Sequence, residues 1–256
     1  MIDTHCHIHD KQYDEDRDAV MARARERGVG ELVTVGCDLA DTERALAAAE
    51  RYGIRASVGI HPHEAKDAPE DVAAAFAPLL ADPHAVAIGE TGLDFYYDHS
   101  PRDAQERVLR AQLRIARERG LPVIFHQRDA YDDVVRVLRE EFAAGMRGVI
   151  HCFTGDTAQA KTFTQEFGLY LGIGGVLTFK TAEALREAVR AVGISSIVLE
   201  TDCPYLAPIP MRGKRNEPAF VSYTHAKLAE VLDADPGEVL TQTDRNARTL
   251  FGLASL

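Results

Sequence analysis

The chain has 256 residues, 46% of them hydrophobic and none of them Trp, and its 29 Lys and Arg against 40 Asp and Glu give a formal charge of −11. That length suits one large α/β domain spanning 1–256, no apolar run reaches the ~18–20 residues of a membrane span, and the start lacks the basic and apolar regions of a signal peptide, so a cytoplasmic protein is expected. The acidic balance excludes a broad basic surface for nucleic acid: a polyanionic substrate would need metals and a local basic patch.

Read in order, short β-rich runs alternate with amphipathic helical runs. Strands are predicted at 1–7, 31–37, 55–61, 85–93, 121–126, 148–153, 169–174 and 196–202. Helical periodicity lies between them at 16–27, 41–52, 71–80, 103–119, 131–142, 157–167 and 182–192, often ending at a glycine such as Gly53 or Gly120. A Pro-rich, basic loop at 204–218 and helices near 222–232 and 236–251 follow. Eight β/α repeats predict an α/β (β/α)8 TIM barrel with its site at the C-terminal strand ends. A doubly wound sheet is the alternative, but no Gly-x-Gly-x-x-Gly follows the first strand.

The strand ends carry the chemistry. His5 and His7 close the first strand, His61-Pro62-His63 the third, Gly89-Glu90-Thr91-Gly92 the fourth, His126 the fifth, His151 the sixth and Thr201-Asp202 the eighth. A His-x-His pair in a strand projects from one face. Its parity turns Cys6 the other way, as it does Cys152 and Cys203 beside His151 and Asp202. The four cysteines have no Cys-x-x-Cys pair and read as reduced packing residues. Parity leaves Glu200 and Asp202 on one face; Asp202 is favoured as nearer the strand end.

Four imidazoles (His5, His7, His126, His151) with Glu90 and Asp202 suit Zn²⁺ or Mn²⁺, or Mg²⁺ with water completing the shell. Six ligands exceed one open tetrahedral site, so two divalent metal ions about 3.5–4 Å apart are expected, with Glu90 as the natural bridge. His61 and His63 remain as candidate phosphate contacts, with Arg128 and the patch containing Arg215 and Asn216. Tyr96 and Tyr97 could stack on a base, and Asp94 could orient a metal ligand. His9, His84, His99 and His225 fall outside the pattern and read as surface residues.

The motifs Asp3-Thr4-His5-Cys6-His7, His61-Pro62-His63, Gly89-Glu90-Thr91-Gly92-Leu93-Asp94, His151-Cys152-Phe153-Thr154-Gly155, Glu200-Thr201-Asp202-Cys203-Pro204-Tyr205-Leu206 and Arg215-Asn216-Glu217-Pro218 appear in that order. Together the chain resembles the TatD-type metal-dependent deoxyribonucleases of the amidohydrolase superfamily. The resemblance implies one metal on His5, His7, Glu90 and Asp202 and the other on Glu90, His126 and His151. It also implies hydrolysis of DNA phosphodiesters, often 3′ to 5′ at single-stranded ends, with DNA as the partner and neither a membrane nor an obligate protein partner. The mechanism expected from it has a bridging hydroxide attack phosphorus, with Asp202 as general base. Glu90 stands where relatives in the wider superfamily carry a carboxylated lysine. Two rival readings are hydrolysis of another ester or amide, such as an aminoacyl-tRNA linkage, and a non-catalytic metal-loaded scaffold.

Overall fold

A computed structural model describes residues 1–97 and 99–253. Its strands are β1 (Ile2–Cys6), β2 (Glu31–Val35), β3 (Arg55–Val58), β4 (Ala85–Asp94), β5 (Val123–Arg128), β6 (Gly148–Ile150), β7 (Tyr170–Ile173) and β8 (Ile197–Leu199). They form one sheet in the order β1 to β8. β1 also returns to the exit of β8: the Asp202 N–H donates to the His5 carbonyl (2.8 Å) and the His7 N–H to the Cys203 carbonyl (2.8 Å). Eight parallel strands that close in this way, with helices between them, are a (β/α)8 barrel.

The helices are α1 (Arg17–Glu26), α2 (Leu39–Tyr52), α3 (Val72–Leu79), α4 (Arg102–Arg119), α5 (Tyr131–Glu141), α6 (Thr157–Lys161), α7 (Glu183–Val192), α8 (Val221–Leu232) and α9 (Pro236–Phe251). Their ends follow from sequence. The Asp38 carboxylate accepts from the Asp41 N–H to cap α2, which ends at Gly53 in the left-handed region (φ 65°). Asp235 and Pro236 start α9 in the same spirit. The predicted helix at 157–167 instead divides, α6 passing into a π turn at Thr162–Glu166.

By packing, the chain comprises two compact units, one of Met1–Thr34 with Cys152–Leu256 and one of Val35–His151. In the second unit, α4 buries Val108, Leu109, Leu113, Ile115 and Ala116, each worth roughly 1.5–3 kcal/mol for the larger side chains. Two glutamines seven residues apart sit on that same buried face. Gln112 accepts from the Ile60 N–H (3.0 Å) and donates to the Ile60 carbonyl (3.0 Å) and Thr91 Oγ1 (2.6 Å). Gln105 accepts from the Asp94 N–H (2.8 Å) and donates to the Asp94 and Ser100 carbonyls. These amides satisfy backbone groups that have left the strand ladder at the exits of β3 and β4, and so fix those exits in place.

Candidate metal centre

In the second unit, the Glu90 side chain is buried within β4, which runs on to Asp94, and is the point on which three imidazoles converge. Its Oε1 lies 2.8 Å from His126 Nδ1, 3.5 Å from His61 Nε2 and 3.6 Å from His151 Nε2. The backbone permits this because two neighbours are glycine. A Cβ on Gly59 would sit 2.2 Å from the Gly89 carbonyl carbon, and one on Gly92 would sit 1.8 Å from the His126 carbonyl oxygen. Gly92 also has φ +154°, which L side chains rarely adopt.

Hydrogen bonds settle where the ring protons lie. His126 Nε2 is 2.9 Å from Asp94 Oδ2 and its Nδ1 2.8 Å from Glu90 Oε1, so a neutral ring that donates to Asp94 would turn a lone pair on Glu90. A lone pair and a carboxylate oxygen 2.8 Å apart repel unless a positive charge is shared between them. An imidazolium proton serves, and so does a divalent cation. For His126, burial disfavours the charged ring, but hydrogen bonds to Asp94 and Glu90 and the Glu90 charge outweigh it and raise its pKa. The donor set therefore fits a cation.

His61 is different. Its Nδ1 accepts from the His63 N–H (3.1 Å), which puts its proton on Nε2, facing His126 Nδ1 at 3.3 Å and Glu90. Burial, partly offset by Glu90, lowers its pKa to about 4, so the ring is neutral at pH 7. Although His61, Glu90 and His126 lie close enough to enclose a metal ion, this tautomer makes His61 a hydrogen-bond donor beside the centre rather than a ligand.

Asp94 is the second carboxylate of this unit and is buried. Its Oδ2 accepts from His126 and from His63 Nε2 (both 2.9 Å), and its Oδ1 from the Tyr96 and Tyr97 N–H groups (both 3.0 Å). Burial pushes its pKa up, but the hydrogen bonds from His126, Tyr97 and His63 prevail and hold it well below the usual carboxylate range. Arg128 lies 4.0 Å over the Tyr96 ring and 4.6 Å from that of Tyr97, and Tyr97 stacks on His99.

In the first unit, His5, His7 and Asp202 converge. The Nε2 atoms of His5 and His7 are 3.3 Å apart, and Asp202 Oδ1 lies 3.9 Å and 3.6 Å from them. Two imidazole nitrogens and a carboxylate oxygen within 4 Å of one another are again a donor set for a cation. Asp3 braces it: buried, it accepts from the Thr201 N–H (2.9 Å) and Thr201 Oγ1 (2.6 Å) and so ties β1 to the exit of β8. Burial drives its pKa well above normal. Cys6 and Cys203 are fully buried, reduced thiols that cluster with Asp3. Glu200 is separated from Asp202 after all: it accepts from the Cys152 N–H (2.6 Å) and fills the space where Gly172 lacks a Cβ.

The remaining expected contacts fall elsewhere. Arg215 pairs with Asp16 (2.6 Å) and lies 4.6 Å over the Tyr13 ring. Asn216 is fully buried, donating to the Thr201 (2.8 Å) and Tyr205 (2.6 Å) carbonyls. Both side chains are committed to holding the loop after β8. His9, expected at the surface, is 5% exposed and bonded to Thr34 Oγ1 at 2.7 Å. Gln105 and Gln112 escaped notice in the sequence; the available signal was two polar residues at helical spacing on an apolar face.

The family described as TatD related DNase matches residues 2–252. The chain belongs to the TatD related DNase family. As a member it is a metal-dependent hydrolase. It is 42% identical over 252 residues to the uncharacterized metal-dependent hydrolase YabD of Bacillus subtilis, covering 98% of each chain. It is 36% identical to the 3′-5′ ssDNA/RNA exonuclease TatD of Klebsiella pneumoniae, covering 99% of this chain and 98% of that one. The crystal structure of the TatD homologue YJJV of Escherichia coli superposes with a TM-score of 0.93 at 30% identity, over 99% of this chain and 98% of that one. No helix among the described residues is long and apolar enough to cross a membrane.

Proposed function

We propose that this TatD-family hydrolase cleaves phosphodiester bonds in DNA, shortening single strands from the 3′ end, with two divalent cations. His5, His7 and Asp202 would hold one and Glu90, His126 and His151 the other. The observation that carries the reading is the 2.8 Å approach of His126 Nδ1 to Glu90 Oε1 while Nε2 is held by Asp94, an arrangement that calls for positive charge on or beside the ring. Cations bound there would lower the pKa of water and neutralise phosphate oxygens.

The chain's own groups do the rest. Asp202, partly exposed beside His5 and His7, takes the proton of the attacking water. His61, with its proton on Nε2, donates to a phosphate oxygen, and Asp94 keeps His126 in the tautomer that leaves Nδ1 open. Arg128, held over Tyr96 and Tyr97, offers a fixed positive charge to the strand.

A 5′-labelled single-stranded oligonucleotide incubated with Mg²⁺ or Mn²⁺ tests this. Stepwise shortening from the 3′ end, abolished by a chelator, is expected. An intact oligonucleotide alongside turnover of an aminoacyl ester would overturn the nuclease reading.

A further inference from the structure

Large apolar side chains are exposed at four described positions: Tyr96 (57%), Tyr97 (48%), Tyr205 (52%) and Ile209 (41%). Tyr96 and Tyr97 follow β4, and Tyr205 and Ile209 follow β8 and Asp202. Scattered apolar exposure needs no explanation, but an exposed aromatic ring close to a candidate metal-ligand set offers a flat apolar face to a ligand. Tyr205 is the sharpest case. It follows Asp202 by three residues, and its ring lies edge-on to His7, with centroids 6.3 Å apart and planes at 67°.

Its backbone is held, and the residue is half exposed. The Tyr205 N–H donates to the Asp202 carbonyl (2.9 Å), and its own carbonyl accepts from the buried amide of Asn216 (2.6 Å). That amide also donates to the carbonyl of Thr201 (2.8 Å), the residue before Asp202, so one buried side chain holds the backbone at both places. A ring carried on a held backbone beside a metal-ligand set loses less freedom when a flat group lands on it than one on a loose loop would.

We propose that Tyr205 is a specificity-determining residue that stacks on the base next to the phosphodiester being cut. A base inside a duplex is covered on both faces by its neighbours, whereas one at a single-stranded end has a face to offer, so the ring would select single-stranded ends. The inference rests on the nuclease reading and deepens it.

The test compares a single-stranded oligonucleotide with the same oligonucleotide ending in an abasic nucleotide, cut by wild type, Tyr205→Phe and Tyr205→Ala. Stacking on an aromatic side chain is worth about 1–3 kcal/mol per base, or roughly 5- to 150-fold. On the normal substrate, Tyr205→Ala should raise KM within that range with kcat little changed, and Tyr205→Phe should behave as wild type. On the abasic substrate, Tyr205→Ala should differ from wild type by less than about twofold. Quenching of a 2-aminopurine placed at the 3′ end, read in chelator so that nothing is cut, should be strong in wild type and lost in Tyr205→Ala. Equal losses on both substrates, which a ring serving only to prop His7 would give, overturn the proposal, as does no loss on either. A wild-type enzyme that leaves both oligonucleotides whole overturns the nuclease reading, and this inference with it.

Discussion

Asp94 Oδ2 lies 2.9 Å from His126 Nε2 and thereby fixes which nitrogen of His126 faces Glu90. A carboxylate behind a ligating imidazole orients the ring and raises its basicity, and its removal typically costs about 10–100-fold in metal affinity. Asp94→Asn should therefore lose Zn²⁺ or Mn²⁺ affinity in that range by competition with a chromophoric chelator, while keeping its far-ultraviolet circular dichroism. Unchanged affinity would remove Asp94 from this role.

Gly92 separates Glu90 from Asp94 and lies against the His126 carbonyl. Gly92→Ala forces a Cβ to 1.8 Å from that oxygen at φ +154°. We expect a loss of about 3 kcal/mol or more in urea unfolding, or failure to fold. Gly30→Ala, where a Cβ meets nothing within 4 Å, should stay within about 0.5 kcal/mol. Similar losses for the two would contradict the packing account.

Glu106 supplies a pH dependence away from the site. Hydrogen bonds from Arg136 and then Arg110 lower its pKa from the ordinary 4.5 to about 2. A depressed carboxylate stabilises the fold above its unfolded pKa, and that contribution fades as pH falls from 4.5 towards 2. The side chain is 30% exposed, so solvent screening leaves about 1 kcal/mol. Glu106→Gln should cost that much at pH 7 and clearly less at pH 3 in urea unfolding. A cost that is equal, or larger in acid, would reverse the sign argued here.

How much of this was legible in the sequence depended on range. Each β-strand announces itself by a local apolar run, and Gly53 and Gly120 mark helix ends through their own backbone freedom, so the repeat was readable. Strand ends were less so: β8 stops at Leu199, three residues before the predicted end, and the backbone turns at Asp202, whose φ is 54°. Parity and strand ends located His5, His7 and Asp202, whereas Glu90, expected at a strand end, lies within β4, which runs on to Asp94. What parity could not resolve was set by distant partners. Glu200 is taken by the Cys152 N–H, 48 residues away, and Arg215 by Asp16, 199 residues away. Asn216 looked like a substrate contact because it sits in a polar loop, but folding turns it inward.

Asn216→Ala would leave two carbonyls, at Thr201 and Tyr205, without their buried donor. Each such loss costs about 1–3 kcal/mol. We expect lower stability by about 2–4 kcal/mol in urea, together with a KM defect matching that of Tyr205→Ala. Full stability with a selective loss of substrate binding would instead make Asn216 a direct contact.

The central claim is that two side-chain sets each hold a cation and that both are needed for cutting. Elemental analysis after equilibrium dialysis against Mn²⁺ tests it most directly, on wild type, His7→Ala and His126→Ala, paired with the rate on a single-stranded oligonucleotide. The account predicts two ions per wild-type chain, one in each variant, and a rate that falls by at least about 100-fold in both. One ion or none in wild type, or two ions and an undiminished rate in either variant, would contradict it.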